Sequence, residues 1–391
     1  MGVPVGSALS GSGAPFYRGP MRASAAVLLI ALLATLGATP VAAPVVPVVH
    51  DLAQVHLDVS FNPDGTYQID LYSPPEWLLT TLEPLSASPS ATLLEGEPRE
   101  RRLAELAPVL AEWVWIIFDG VRLEAKPVYI GPLEAPLDPS SEPMVGIRME
   151  GVIPEGAREF SWACGVCWDA YPILAADAKG TTVTHWVDGP GESGKLSVAE
   201  LTPPSRWQVV KTYLGLGFTH ILPKGLDHIL FVVGIFLLST RLGPIVAQVT
   251  TFTVAHTITL ALTIFGILSL PSRVVEPLIA LSITYVAVEN VFTSELKPWR
   301  IALVFGFGLL HGMGFAGVLS ELGLPRSERI TGLLSFNVGV ELGQLAVIAS
   351  MLLLVGWFRD RAWYRRRIVV PISLAIACVG LYWTVTRITG A

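Results

Sequence analysis

A series of long apolar stretches fills the second half of the chain and limits its fold more than any other feature. The stretches cover residues 207–222, 225–240, 245–270, 274–292, 301–319, 330–357 and 368–386. A helix needs about 20 mainly apolar residues to cross the hydrocarbon layer. Only 15% of the chain is charged, against about a quarter in soluble domains. The pattern predicts a polytopic α-helical membrane bundle over residues 206–391, with about six transmembrane helices. The first two stretches flank Pro223 and predict one broken span or a re-entrant lead-in.

The first 43 residues have the features of a secretory signal. Arg18 and Arg22 precede an apolar run over residues 25–36, and small residues follow as far as Ala43. A basic flank, a short apolar core and a small-residue exit are typical of a signal peptide. Pro44 is unfavourable directly after a cleavage point, so an uncleaved N-terminal anchor is the alternative. Either way, we expect the segment that follows to be exported.

Residues 44–205 have the composition of an exported β-rich domain. Residues 55–61 and 67–71 alternate between apolar and polar side chains, and Asp64-Gly65 lies between them. Asp-Gly between alternating runs is a strong hairpin signal. Residues 99–115 have helical spacing. Cys164 and Cys167 predict a short disulfide, with a redox or metal-capture pair as alternatives.

The loop charges predict the orientation of the bundle. With the N-terminal domain exported, Arg241, Lys297, Arg300 and the five arginines between residues 359 and 367 fall on the cytoplasmic side. Outer loops hold fewer basic residues, as the positive-inside rule requires. We therefore expect a multi-pass protein of the cell (inner) membrane whose N-terminal domain is extracytoplasmic. The lipid bilayer is its surrounding partner. The net charge of −6 and the lack of a basic stripe exclude nucleic acid as a partner.

Ionisable and amide side chains recur inside the apolar stretches, where each is costly and therefore a functional candidate. The set comprises His220, Asp227, His228, His256, Glu289, Asn290, His311, Asn337, Glu341 and Gln344. Four histidines and three acids predict one interior metal site, with the three amides in support. Imidazole and carboxylate ligands suit nickel, cobalt, zinc and copper ions. The alternative for any one histidine is an interhelical hydrogen bond.

At these residues the chain resembles the HupE/UreJ membrane proteins. The similarity lies in residues 217–231, 253–257, 285–290, 311–315 and 336–344 and extends from about Trp207 to the C-terminus. The resemblance implies a nickel or cobalt permease in which His220, Asp227 and His228 handle the metal. It gives His256, His311 and Glu341 supporting roles. The founding members of the family are short, whereas this chain carries an additional exported domain.

Three functions are consistent with this pattern. A permease for a divalent transition metal ion is the first, and the lack of a nucleotide-binding glycine-rich loop favours passive or gradient-driven movement. A membrane-embedded zinc hydrolase is the second, with Glu289 or Glu341 as the base. The third is a membrane-anchored assembly or sensing module. The sequence does not identify the partner of the exported domain.

Overall fold

The computed structural model describes two regions of the chain, a β-rich N-terminal region and a helical C-terminal region. The described residues are 55–87, 96–132, 144–239, 241–268, 270–295, 297–321 and 328–389, and for 315–321 only the backbone is described. The predicted signal or anchor over residues 1–43 lies outside them. The predicted order of a β domain followed by a helical bundle is confirmed.

The β domain consists of two sheets that enclose a common core. Its strands are β1 His56–Phe61, β2 Thr66–Ser73, β3 Val114–Phe118, β4 Val121–Leu123, β5 Val128–Pro132, β6 Val145–Val152, β7 Glu159–Cys164, β8 Tyr171–Ala176, β9 Thr182–Val187 and β10 Leu196–Ser197. One sheet has the order β5-β6-β2-β1-β8-β9 and the other β10-β7-β3-β4. Phe61 of the first sheet contacts Phe118 and Phe160 of the second, with ring centroids 6.5 and 5.4 Å away. The predicted hairpin is the antiparallel pair β1–β2.

Among its described residues the β domain also has two α-helices, α1 Pro75–Leu82 and α2 Glu97–Leu106. The helix predicted over residues 99–115 is therefore too long. A 3-10 turn, Ala107–Glu112, follows α2 and contains Pro108. Proline removes a backbone donor and clashes with the preceding turn of an α-helix. The chain then enters strand β3, which carries the remaining apolar residues into the core.

Cys164 and Cys167 form a disulfide at the end of strand β7. Both cysteines are buried, with at most 2% exposure. Asp169 follows two residues later, and its carboxylate lies 2.6 Å from the ammonium group of Lys224 in the helical region. The disulfide therefore braces a loop that contacts the bundle.

Seven helices form the bundle in the described part of the chain. They are α3 Arg206–Ile221, α4 Leu226–Leu238, α5 Leu242–Ile264, α6 Ser272–Phe292, α7 Arg300–Glu321, α8 Arg329–Val355 and α9 Val370–Thr389. By length and composition, α5, α6, α8 and α9, with the short turns that extend α8 and α9, each suffice to cross a membrane. The bent pair α3–α4 has the composition of one broken span or of a re-entrant loop. The apolar segment Arg300–Gly314 of α7 adds a shorter candidate.

Close helix contacts at glycines determine which side chains meet inside the bundle. A Cβ atom on Gly312 of α7 would collide with the backbone of His256 in α5. A Cβ atom on Gly339 of α8 would collide with the backbone of Leu214 in α3. Small residues allow such backbone approach in membrane bundles. Helix α7 therefore lies directly on α5, and α8 lies directly on α3.

The arginine-rich segment after α8 secures the ends of two other helices. Arg359 donates a hydrogen bond to the carbonyl of Ser239 at the end of α4. Arg365 donates to the carbonyls of Val291 and Thr293 at the end of α6, at 3.0 and 2.8 Å. Carbonyls in the last turn of a helix lack intrahelical partners and attract cations. Part of this basic segment is thus structural.

Asp58 makes the stability of the β domain depend on pH. It lies opposite Asp70 in the β1–β2 register. Burial, followed by the charge of Asp70, raises the pKa of Asp58 to about 6 from an ordinary value of 3.8. The folded state therefore disfavours the charged form, and its stability falls as pH rises through about 4 to 6. Burial lowers the pKa of His56 to about 4 from an ordinary value of 6.5. Its contribution to the stability of the β domain is therefore lost as pH falls from about 6.5 to about 4, opposite to that of Asp58.

We expect Asp58→Asn to stabilise the β domain at pH 8 by about 1–2 kcal/mol, a value reduced for partial solvent exposure. At pH 4 the variant and the wild type should have nearly equal stability, since Asp58 is then neutral in the folded wild type. His56 is present in both proteins and cancels from the comparison. Thermal unfolding of the detergent-solubilised chain at the two pH values measures the difference. An equal gain at both values would contradict this assignment.

Candidate metal site

The connection between α3 and α4 brings two histidines together. His220 lies in the last turn of α3 and His228 in the first turn of α4. The two helix axes are bent by 69° at residues 222–225, a segment called the elbow below. Gly225 packs so closely on the carbonyl of His220 that no side chain fits there. The two imidazole rings consequently lie with their centroids 4.8 Å apart.

Two further histidines reach this point from α5 and α7. The ring of His228 lies 6.0 Å from that of His256 and 5.0 Å from that of His311. The ring of His256 lies 6.3 Å from that of His220. One ligand atom from each of His220, His228 and His256 lies within 4.8 Å of the others. All four side chains are at most 4% exposed.

An acceptor faces the Nδ1 atom of three of these rings. The Nδ1 of His228 lies 3.1 Å from Oδ1 of Asp227, and that of His311 lies 2.8 Å from the carbonyl of Phe307. The Nδ1 of His256 lies 3.1 Å from Oδ1 of Asn337. Asn337 donates its amide to the carbonyl of Leu333, so its oxygen must face the ring. In its neutral form, each of the three rings therefore carries its proton on Nδ1.

The opposite ring atoms of these three histidines are available as ligands. The Nε2 atoms of His228, His256 and His311 are buried and have no hydrogen-bond partner among the described residues. When Nδ1 is protonated, Nε2 of the same ring has a lone pair that points away from the acceptor at Nδ1. Histidine ligands in metal sites usually donate their other ring nitrogen to a carboxylate or carbonyl in this way. The arrangement therefore fits a metal ion held by imidazole nitrogens.

Comparison with known protein families gives a match over the same part of the chain. The model described as HupE / UreJ protein matches residues 196–387, which include all seven bundle helices up to Arg387. This part of the chain belongs to the HupE/UreJ family. The family comprises membrane proteins of nickel- and cobalt-transporter type. Comparisons with curated proteins and with solved structures gave no match.

The HupE/UreJ region does not bring all the predicted residues to the histidines. Glu289 forms an ion pair with Arg300, with Oε2 and Nη1 2.6 Å apart. Asn290 donates to the carbonyl of Gly234 at 2.8 Å. Glu341 accepts hydrogen bonds from Thr250 and Thr253. Unlike Asn337, which contacts His256, these side chains have partners that are not among the four histidines.

Sequence reasoning missed Arg300 as a buried residue of the HupE/UreJ region. It was expected in a cytoplasmic loop, but it starts α7 and is fully buried. Its side chain also donates to Gln248 at 3.0 Å. The sequence does contain an indication of this ion pair, because Glu289 lies near the end of one apolar stretch and Arg300 directly precedes the next. Opposite charges at the joined ends of consecutive spans lie at the same depth and can pair.

With nickel as the ligand of this candidate site, we expect Asn337→Leu to weaken binding by about 10–100-fold, the usual effect of losing a partner that orients a metal ligand. Leucine preserves most of the volume but offers no acceptor to the Nδ1 of His256. Asn337→Asp retains an acceptor and should bind nickel much more like the wild type. Isothermal titration with nickel in detergent measures all three proteins. Equal losses in both variants would show that Asn337 acts through packing alone.

Proposed function

We propose that the chain is a membrane permease for a divalent transition metal ion, with nickel or cobalt as its cargo. In this proposal His220, His228, His256 and His311 bind the ion inside the bundle. The observation that carries it is the convergence of four buried imidazole rings, three of which have an acceptor at Nδ1. The family, which is of nickel- and cobalt-transporter type, supports the same cargo.

The ligand chemistry supports this choice of ion. Imidazole nitrogen suits nickel, cobalt, copper and zinc, whereas calcium and magnesium prefer oxygen. Asp227 lies beside His228 and would offset part of the charge of the ion without needing to bind it directly. Aromatic rings surround the histidines: Phe252 lies 4.9 Å from His311, and Phe336 lies 5.6 Å from His220. A buried aromatic wall has low polarity, which strengthens the attraction between the ion and the carboxylate.

The surroundings of the histidines favour transport over hydrolysis. A zinc hydrolase needs a carboxylate or equivalent base beside an open coordination position. The two acids predicted for that role, Glu289 and Glu341, bind Arg300 and two threonines instead. Asp227, the carboxylate that contacts the site, faces the Nδ1 of His228. Reversible binding of an ion by the imidazole ligands, as transport requires, therefore fits this arrangement better than hydrolysis does.

The proposed path through the bundle connects two features that lie at the two ends of α4. On one side, the elbow beside His220 contacts Asp169 of the β domain. On the other, a cavity of about 600 Å³ opens between the α4–α5 and α6–α7 connections and reaches Arg300 and Gln248. In the proposed topology the β domain is extracytoplasmic and the cavity faces the cytoplasm of a cell with the protein in its inner membrane. The ion would enter past the elbow and leave through the cavity.

Nickel uptake into proteoliposomes tests the proposal. Vesicles containing wild-type protein should accumulate nickel, and His256→Ala should abolish the uptake. His185→Gln is a suitable control, because His185 lies in strand β9 of the β domain, where its Nε2 accepts from the backbone of Gly194. Stoichiometric zinc retained through purification, without uptake of any ion, would overturn the permease and favour the hydrolase.

A further inference from the structure

A second cluster of polar groups lies between α5 and α8 and consists of oxygen ligands. Thr250 donates a hydrogen bond to Oε1 of Glu341 at 2.7 Å, and Thr253 contacts Oε2 of the same carboxylate. The hydroxyl of Thr253 also lies 2.9 Å from Oε1 of Gln344 and 3.2 Å from the carbonyl of Val249. Glu341 is half-buried, and Gln344 is fully buried. These groups are called the oxygen cluster below.

The oxygen cluster has more acceptors than protons. The hydroxyl of Thr253 has one proton but faces three acceptors, of which the carboxylate is the strongest. The Oε1 atom of Gln344 is then left without a donor, while its Nε2 is buried with no partner among the described residues. Turning the amide lets Nε2 donate to Thr253, but it places Oε1 where no donor lies. In either orientation one buried polar atom of the Gln344 amide has no partner among the described residues, and the acceptors outnumber the protons.

We propose that Glu341, Thr250, Thr253 and Gln344 form a binding site for a sodium ion. Carboxylate, hydroxyl and amide oxygens are hard ligands, which favour a hard cation over nickel or cobalt. One carboxylate neutralises one positive charge, so a monovalent ion leaves the site neutral. A divalent ion would leave a net charge inside the bundle, which is costly in a membrane.

The position of the oxygen cluster connects it to the histidines. Thr253 precedes His256 by three residues on α5, and Glu341 follows Asn337 by four residues on α8. Each spacing is about one helical turn, or about 5.4 Å along the axis. A sodium ion that draws α5 and α8 together would also fix the hydrogen bond between His256 and Asn337. This coupling rests on the proposed function, whereas sodium binding itself does not.

Titration of the purified protein with sodium chloride, with choline chloride as the reference salt, tests the site directly. The wild type should bind one sodium ion. Glu341→Gln should abolish binding, and Thr253→Val should weaken it at least tenfold. Thr263→Val is the matched control on α5, because its hydroxyl donates to the backbone of Thr259 near the helix end. Sodium binding that is absent in the wild type or unchanged in Glu341→Gln would overturn the proposal.

Two measurements separate this proposal from the permease. The sodium titration is made on the wild-type protein without nickel, so a failure of nickel transport does not affect it. In proteoliposomes, nickel uptake should increase with an inward sodium gradient in the wild type but not in Thr253→Val. Uptake driven by a pH gradient, with no sodium bound, would identify the proton as the ligand and overturn the sodium site.

Discussion

The His228→Ala variant is expected to bind nickel at least about 100-fold more weakly than the wild-type protein. Loss of a partner that only orients a ligand costs about 10–100-fold, and His228 is assigned as a ligand itself. Its ring is also central, since it lies within 6.0 Å of the rings of His220, His256 and His311. Without it, the rings of His220 and His256 remain 6.3 Å apart, but the contact that joins His311 to His228 is lost.

Isothermal titration in detergent with nickel and cobalt measures this loss, and added imidazole provides the control for folding. Alanine leaves a ring-sized space in the bundle, which free imidazole can occupy. Partial recovery of nickel binding with imidazole would show that the ligand, rather than the fold, was lost. Unchanged nickel affinity in His228→Ala would contradict the histidine site as a whole.

Arg300→Met should lower the free energy of unfolding by about 3–5 kcal/mol, the typical cost of removing one partner of a buried ion pair. Arg300 is fully buried and is bound by Glu289 of α6, Gln248 of α5 and Asn290 of α6. Without the guanidinium, the carboxylate of Glu289 is buried without its countercharge. For a chain region of this size the loss corresponds to a decrease in Tm of roughly 6–20 °C.

Thermal unfolding of the variants in detergent measures the effect of Arg300. Arg300→Met combined with Glu289→Gln should recover most of the loss, because both charges are then absent. Arg361→Met is the matched control: Arg361 is exposed, and its loss should change stability by no more than about 0.5 kcal/mol. A double variant as unstable as Arg300→Met would show that packing, and not charge, accounts for the effect.

The architecture of the chain was predictable because its main signals are local. Apolar length fixes a spanning helix, and alternation around Asp64-Gly65 fixes a hairpin, without knowledge of distant residues. The histidines were also predictable as a set, because ionisable groups at membrane depth are costly and must face the interior. The bent pair α3–α4 was foreseen from Pro223 for the same reason.

The partners of the acids were not predictable, because they depend on how the helices are rotated and paired. Glu289 and Glu341 lie in apolar stretches like the histidines do, yet they face Arg300 and the threonines of α5. Helix rotation is set by close contacts such as that of Gly312 on the backbone of α5. Those contacts join residues more than 50 positions apart, and no local pattern in one sequence encodes them.

Under the proposed function, the ion pair between Asp169 and Lys224 would couple the β domain to metal binding. Lys224 lies in the elbow, between His220 and His228, and both side chains of the pair are partly exposed. Such a pair contributes at most about 1 kcal/mol, which corresponds to about a fivefold change in an equilibrium constant. A ligand of the β domain that breaks the pair would shift the affinity for the metal ion by up to that factor. Thermodynamic reciprocity then requires the metal ion to shift the affinity of the β domain for that ligand by the same factor.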